Sequence, residues 1–367
     1  MASDVIGYFC ASNSWGGLEM NQLRNAVWMK ERGHSVVIFA RENTKITEEA
    51  IKNDVSVEFI AKHRKYYDFK KSLALKKALK KNRVTHLIVR DPKDMSICAL
   101  AKTFMGGKLF LAYFMEMQIG IPKRDLVHTL RFKKFDLWSC PLPWLAGQVK
   151  EMTKFPKDRI SVIPSGLDLT QFENLIDKNE ALELLDLDKN KTWLGLIGRF
   201  DEQKGQHLLL NAFNKIKERF PDVNTVFLGE KTKDEADEYY DELIHFINEN
   251  QLNSRVEIRR FRPDISTFYA AIDVFVMATK AETFGMVTIE AMAAGLKIVG
   301  SNAGGTPEIL DHGNFGVLFQ SGDSNSLSEK LIELLELKDF NSEKVREASK
   351  KYDAKNVCSQ VEKALFI

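Results

Sequence analysis

Residues 193–200 read WLGLIGRF, six apolar or small residues in a row and then Arg199 and Phe200. A short continuous apolar run closed by glycine and a charged loop reads as a strand buried on both faces. It follows a polar, helix-like connector, LDLTQFENLIDKNEALELLDLDKNKT (167–192), and it restarts a series that already ran upstream. That earlier series is VIGYFCAS (5–12), SVVIFA (35–40), VSVEFI (55–60), THLIVR (85–90), KLFLAYF (108–114), DLWSCP (136–141) and RISVIPSG (159–166), with helix-like segments between most of them. After residue 200 the runs are NTVFLGE (224–230), RVEIRRF (255–261), DVFVMAT (273–279), KIVGS (297–301) and GVLFQ (316–320). Two successive βα series predict an α/β protein of two Rossmann-like, doubly wound domains with parallel sheets. The expected bounds are 1–168 and 169–345, with residues 346–367 as a terminal helix packing back toward the first domain. Ligands of such sheets bind beyond the carboxyl ends of the strands. With two facing domains, the default site is the cleft between them.

The bulk numbers narrow the class. The chain has 367 residues, of which 44% are hydrophobic and 28% charged. That is a globular composition with room for two domains. A net charge of +2 gives no general nucleic-acid binder. The opening MASDVIGYFCASNSWGG lacks a basic n-region and a clean apolar core, so no signal peptide is expected. No run approaches the ~20 apolar residues of a spanning helix. Cys10, Cys98, Cys140 and Cys358 are scattered without CxxC spacing, as buried thiols in a reducing compartment would be. The expectation is a cytoplasmic protein.

AETFGMVTIEAMAAG (281–295) poses the chemical question. Its second half reads as an apolar helix, yet it carries Glu290, with Glu282 eight positions earlier. A buried, unpaired carboxylate costs several kcal/mol, roughly, so either a protein group or a ligand must answer Glu290. A helix starting near Met286 would leave free amides over residues 284–287. A carboxylate can accept two hydrogen bonds from a vicinal diol such as that of a ribose. The spacing suits one carboxylate per sugar, with helix amides for phosphates between. The plainer alternatives are a buried ion pair for Glu290 and a helix-capping acid for Glu282.

Two further loops could meet phosphate. In GRFDEQKG (198–205), Arg199 and Lys204 stand five apart after a strand, and two cations on one short loop suit a diphosphate. A solvated loop neutralised by Asp201 and Glu202 is the alternative. In SNSWGGLEM (12–20), Gly16 and Gly17 open the first helix, where amides favour an anion; a simple flexible turn would look the same. This is not GxGxxG, and SVVIFAREN offers Arg41 before Glu42 where an acid would read ribose, which disfavours a nicotinamide enzyme.

Taken in order, VIPSGLDLTQF (162–172), GRFDEQKG, the E-x7-E pair of 281–295, and KIVGSNAGGTPEIL (297–310) resemble the retaining glycosyltransferases of family 4, the glycosyl transferases group 1. GGLE (16–19) and RGHSVVIFA (32–40) match more weakly. The resemblance is strong over about 160–335 and loose over about 45–155. It implies the GT-B fold and transfer of a hexosyl group from a UDP- or GDP-type sugar in polysaccharide biosynthesis. It implies that Arg199 and Lys204 hold the donor diphosphate and Glu290 the ribose. Glu282 and the backbone of Phe284, Gly285, Met286 and Val287 would hold the donor sugar and phosphates, with Glu282, Arg199 and Lys204 as the catalytic set. Gly16 and Gly17 would face the diphosphate from the other domain, and Arg262 would lie near the base. It implies no cofactor and no metal, because Arg and Lys neutralise the leaving diphosphate. LDLD (185–188) mimics a metal-binding DxD but reads as a helix end. Many relatives carry a histidine after the fourth or fifth strand; here LFLAYFMEMQIGIP (109–122) offers Glu116 and Gln118 instead, making Glu116 a candidate sugar contact, while His128 reads as structural. The alternatives are an impaired nucleotide-sugar-binding relative and a GT-B epimerase or phosphorylase.

KHRKYYDFKKSLALKKALKKNR (62–83) holds ten Lys and Arg against one acidic residue, interleaved with Tyr66, Tyr67 and Phe69. It reads either as a solvated helix face or as a patch for anionic lipid, where each cation adds about 1 kcal/mol. By the resemblance, the first domain handles the acceptor, so a glycan or lipid-linked acceptor and a peripheral position at the inner membrane face are expected. No fold signal supports nucleic acid as a partner.

Overall fold

The computed structural model describes residues 4–231 and 238–366; the chain ends 1–3 and 367 lie outside the described residues. The chain divides into two compact units, residues 1–166 with 354–367, and residues 167–353.

The first unit is built on β1 (Val5–Cys10), β2 (Ser35–Ala40), β3 (Ser56–Phe59), β4 (His86–Val89), β5 (Phe110–Phe114), β6 (Leu137–Cys140) and β7 (Ile160–Val162). They form one sheet in the order β3-β2-β1-β4-β5-β6-β7, and every pairing is parallel. Alternation along the strands sorts the side chains. Ile6, Tyr8 and Cys10 of β1 join Ile38 and Ala40 of β2 in one core, while Phe9, Val37 and Phe39 enter the core on the other face. The terminal helix Ala354–Phe366 belongs to this unit. Its Val357, Cys358, Val361 and Leu365 fall at helical spacing and complete the core of Ile6 and Tyr8. Glu362 on its outer side meets Arg32 Nη2 at 2.6 Å and His34 Nε2 at 2.8 Å.

The second unit carries β8 (Thr192–Ile197), β9 (Val223–Leu228), β10 (Val256–Arg259), β11 (Val274–Met277), β12 (Lys297–Ser301) and β13 (Val317–Phe319). Their order is β10-β9-β8-β11-β12-β13, again parallel throughout. Asp273 fixes the entry to the central strands: Oδ2 accepts from Trp193 N at 2.8 Å, and Oδ1 meets Lys178 Nζ at 2.5 Å. The WLGLIG run is thus a central strand, and it stops at Ile197; Gly198, Arg199 and Phe200 belong to the loop beyond it. The LDLD segment lies at and beyond the end of the helix Lys178–Leu184, with Leu185 as its cap.

Both sheets reverse their winding once. In the first the reversal falls between β1 and β4, and in the second between β8 and β11. Loops that leave adjacent strands in opposite directions open a crevice at the carboxyl ends. Among the described residues, no helix is long and apolar enough to cross a membrane.

Candidate active site

In the second unit the crevice is bounded by the loop 198–205 after β8 and the loop 278–285 after β11. The two loops are pressed together. Lys280 N donates to Gln203 O at 2.9 Å, and the buried Gln206 donates Nε2 to Arg199 O at 2.8 Å. Gly205 has φ +76°, and a Cβ there would stand 2.3 Å from the Ala278 carbonyl oxygen, so only glycine fits. The third loop, after β12, adds a brace: Gly305 N donates to Glu282 O at 2.8 Å. The backbone under Glu282 is therefore fixed before any ligand arrives.

Met286–Ala294 is the helix at the head of this crevice. Gly285 leads into it at φ +88°, a left-handed turn that points the next amides outward. Thr288 N turns back to Gly285 O at 3.0 Å, whereas the amides of Met286 and Val287 find no acceptor among the described residues. They are the unsatisfied donors of a helix start, ready for an anion. Phe284 contributes backbone only; its ring is buried against Tyr352, with centroids 5.8 Å apart.

The charged groups are already partnered. Lys204 Nζ lies 3.0 Å from Glu282 Oε2. Arg199 keeps 65% of its side chain exposed, and its one ion pair among the described residues is with Asp201, at 3.5 Å, so it is the more solvent-exposed of the two cations. Of the two answers open to Glu290, a protein group supplies one. Glu290 is half-buried, and Tyr269 Oη lies 2.8 Å from its Oε2 and 3.0 Å from Val287 O. Tyr269, on the helix Ile265–Ala271, is itself buried. Burial, and then the neighbouring Glu290 charge, push its phenol well above its ordinary pKa, so it stays a neutral donor. Arg262 is clamped by Asp264, Nε to Oδ1 at 2.6 Å and Nη2 to Oδ2 at 2.5 Å, and also reaches Leu184 O. It follows β10, the outermost strand, and not the strands that flank the crevice.

In the first unit, Gly16 caps the helix Gly17–Glu31 in extended backbone, and its amide donates to Glu19 Oε2 at 3.0 Å. That carboxylate takes one of the donors the sequence leaves open to an anion. A side chain on Gly17 would meet open space. Glu116 is enclosed: Arg90 Nη1 ion-pairs with Oε1, and Asn21 Nδ2 donates to Oε2 at 3.1 Å. Burial raises its pKa, against the pull of Arg90. Both oxygens are held inside the unit, which makes Glu116 foremost an internal counter-ion for Arg90. Sequence reading passed over His63, because it sits inside a run of lysines. Its Nε2 lies 2.9 Å from Asp94 Oδ1 and its Nδ1 2.8 Å from Arg64 O. With Asp94 ionised, an acceptor at each ring nitrogen favours the doubly protonated ring. Burial lowers its pKa, but Asp94 and the Arg64 carbonyl outweigh that, and the net shift is upward. Asp94 Oδ2 also accepts from Ala11 N at 3.1 Å, tying together the loops after β1, β3 and β4.

Two family profiles match consecutive parts of the chain, "Glycosyltransferase Family 4" over residues 15–171 and "Glycosyl transferases group 1" over residues 177–354. The chain belongs to the group 1 glycosyltransferases. It is similar to spore coat protein SA of Bacillus subtilis, 33% identical over 50% of this chain and 52% of that one. It is also similar to the lipopolysaccharide core biosynthesis mannosyltransferase LpsB of Rhizobium meliloti, 30% identical over 42% of this chain and 44% of that one. The chain spans about half the length of these curated relatives. Among solved structures, Anabaena HepE in complex with UDP superposes with a TM-score of 0.86 over 99% of both chains at 20% identity. The fold is GT-B.

Proposed function

We propose that this chain is a glycosyltransferase that moves a sugar from a nucleoside-diphosphate sugar to a glycan or lipid-linked acceptor, with retention and without a metal ion. The observation that carries the reading is the second unit's crevice. The braced loops after β8 and β11 and the head of the helix Met286–Ala294 carry two cations, two amides without acceptors and two carboxylates, a set that suits a sugar–diphosphate–ribose ligand. Arg199, Lys204 and the amides of Met286 and Val287 face the diphosphate; Glu290 accepts from the ribose diol; Glu282 accepts from the donor sugar. HepE was solved with UDP and with UDP-glucose, which supports a uridine nucleotide as the first donor to try.

The chemistry follows from charge. As the bond from the anomeric carbon to the phosphate oxygen breaks, positive charge grows on the sugar and negative charge on the diphosphate. Preformed cations and helix amides aimed at the latter supply the main electrostatic term. The acceptor hydroxyl attacks from the face the diphosphate leaves, its oxygen bonds the anomeric carbon, and its proton passes to the departing phosphate oxygen. The basic stretch 62–83 would hold the enzyme at an anionic membrane surface, where a lipid-linked acceptor resides.

The test is a transfer assay with UDP-glucose and a panel of glycan and lipid-linked acceptors in chelator, with the product's anomeric configuration read by NMR. A product of unchanged configuration is expected. An inverted product would remove the retaining mechanism, and transfer that needs a divalent ion would remove metal independence. Donor binding with no transfer to any acceptor would point to an impaired relative.

A further inference from the structure

The first unit holds a cavity that none of the proposed donor-site residues lines. It measures about 290 Å³, at the small end of the ~300–1,000 Å³ range of ligand sites. Its walls are Tyr66 and Tyr67 from the loop after β3, Leu100 from the helix Met95–Phe104, and Val127, Leu130 and Arg131 from the helix Leu126–Phe132. Apolar surface continues outside it: Leu126 is 71% exposed, Leu130 54%, Tyr67 56% and Phe69 55%. Single exposed leucines are ordinary, whereas a contiguous group around a pocket marks a binding surface.

Arg131 gives the cavity its chemistry. Its guanidinium lies 5.6 Å from the Tyr66 ring centre and 4.9 Å from that of Phe132, and Nη1 donates to Ser96 Oγ at 3.2 Å. No carboxylate lies within ion-pair distance of it among the described residues, and its buried Nε has no partner. Burial lowers its pKa. A part-buried guanidinium with no carboxylate in contact, and with the Tyr66 hydroxyl and the more distant Asp125 acting on it, is costly, and an anion in contact would relieve that cost. Lys134 stands at the rim, and Arg64, Lys65, Lys70 and Lys71 follow along the same loop and helix. The loop is firmly built: His63 anchors its start on Asp94, and Asp68 accepts from Arg64 N and Lys71 N, both at 3.1 Å.

We infer that this cavity takes the hydrocarbon chain of a phosphate-bearing membrane lipid, with the lipid phosphate at Arg131 and Lys134. A chain fits the aromatic and aliphatic walls, and the phosphate supplies an anion in direct contact with the guanidinium. The inference extends the membrane reading above but is tested apart from it, with a monomeric amphiphile, no bilayer and no donor.

The test titrates the full chain with dodecyl phosphate below its micelle concentration, against inorganic phosphate and dodecyl maltoside. Saturable one-site binding of dodecyl phosphate is expected, with each comparison compound at least tenfold weaker. Arg131→Gln and Leu130→Asp should each weaken dodecyl phosphate at least tenfold, and Lys134→Gln, at an exposed position, about threefold. UDP binding should be unchanged in all three, so that failure here and failure of the donor site are distinguishable. Equal binding of inorganic phosphate would make this a bare anion site. Equal binding of dodecyl maltoside would make it a plain apolar surface. Absent saturation, or wild-type affinity in folded Leu130→Asp and Lys134→Gln, would overturn the assignment.

Discussion

Lys204 Nζ and Glu282 Oε2 are 3.0 Å apart, so a cation proposed for the donor diphosphate and the carboxylate proposed for the donor sugar hold each other in the free protein. Donor entry must exchange this pair for two new ones. An ion pair of this partial exposure is worth about 0.2–1 kcal/mol. Glu282→Gln should therefore bind UDP roughly two- to fivefold more tightly, by calorimetry, while transfer falls at least tenfold. Weaker UDP binding in Glu282→Gln would mean that the carboxylate does not compete with the diphosphate.

Lys204→Ala and Glu290→Ala should each lower kcat/KM at least 100-fold, about 2.7 kcal/mol of transition-state stabilisation, with unchanged circular dichroism. Wild-type rates in both variants would remove these residues from the site.

Tyr269 holds Glu290 by one hydroxyl shared with Val287 O. Tyr269→Phe leaves the ring packing and deletes that donor, at a cost of about 1 kcal/mol in stability. If Glu290 reads the ribose diol, the variant should also prefer UDP over 2′-deoxy-UDP less than the wild type does. A loss of stability with the preference intact would make Tyr269 purely structural.

The winding was legible in the sequence because strands buried on both faces, such as Val5–Cys10 and Val274–Met277, leave continuous apolar runs. The head of the helix at Met286 was legible because glycine precedes an unbroken apolar segment. The partners of the site were not. Tyr269 meets Glu290 across 21 residues, and Lys204 meets Glu282 across 78, distances at which local pattern carries no signal. His63 was hidden by its basic neighbours, and its partner Asp94 lies 31 residues on. Glu116 looked available because its partners come from elsewhere in the chain, Arg90 from the loop after β4 and Asn21 from the helix Gly17–Glu31.

The loop geometry gives a backbone test. Gly205→Ala places a side chain against Ala278 O at a positive φ. It should cost at least about 1–3 kcal/mol in chemical denaturation, from the left-handed backbone alone. Gly16 is extended, and a Cβ there would stand 3.6 Å from Glu19 Oε2, ordinary contact, so Gly16→Ala should change stability much less.

Glu362 gives a pH test. Its hydrogen bond from Arg32, aided by His34, holds its pKa down at about 2, from 4.5. A depressed carboxylate pKa contributes stability that is present above the unfolded value and is lost as pH falls from about 4.5 toward 2. Thermal unfolding should therefore shift downward across that window in the wild type, and less steeply in Glu362→Gln. Identical acid profiles would show that the contact at the terminal helix adds nothing.

The most direct measurement is thermal stability against UDP-, GDP- and ADP-sugars in metal-free buffer, for wild type and Glu290→Ala. A ligand that binds only the folded chain raises the midpoint by mass action. We expect one nucleotide class to raise the wild-type midpoint clearly, and Glu290→Ala to lose most of that rise. A flat response to every donor, or an equal shift in Glu290→Ala, would contradict the donor site described for the second unit.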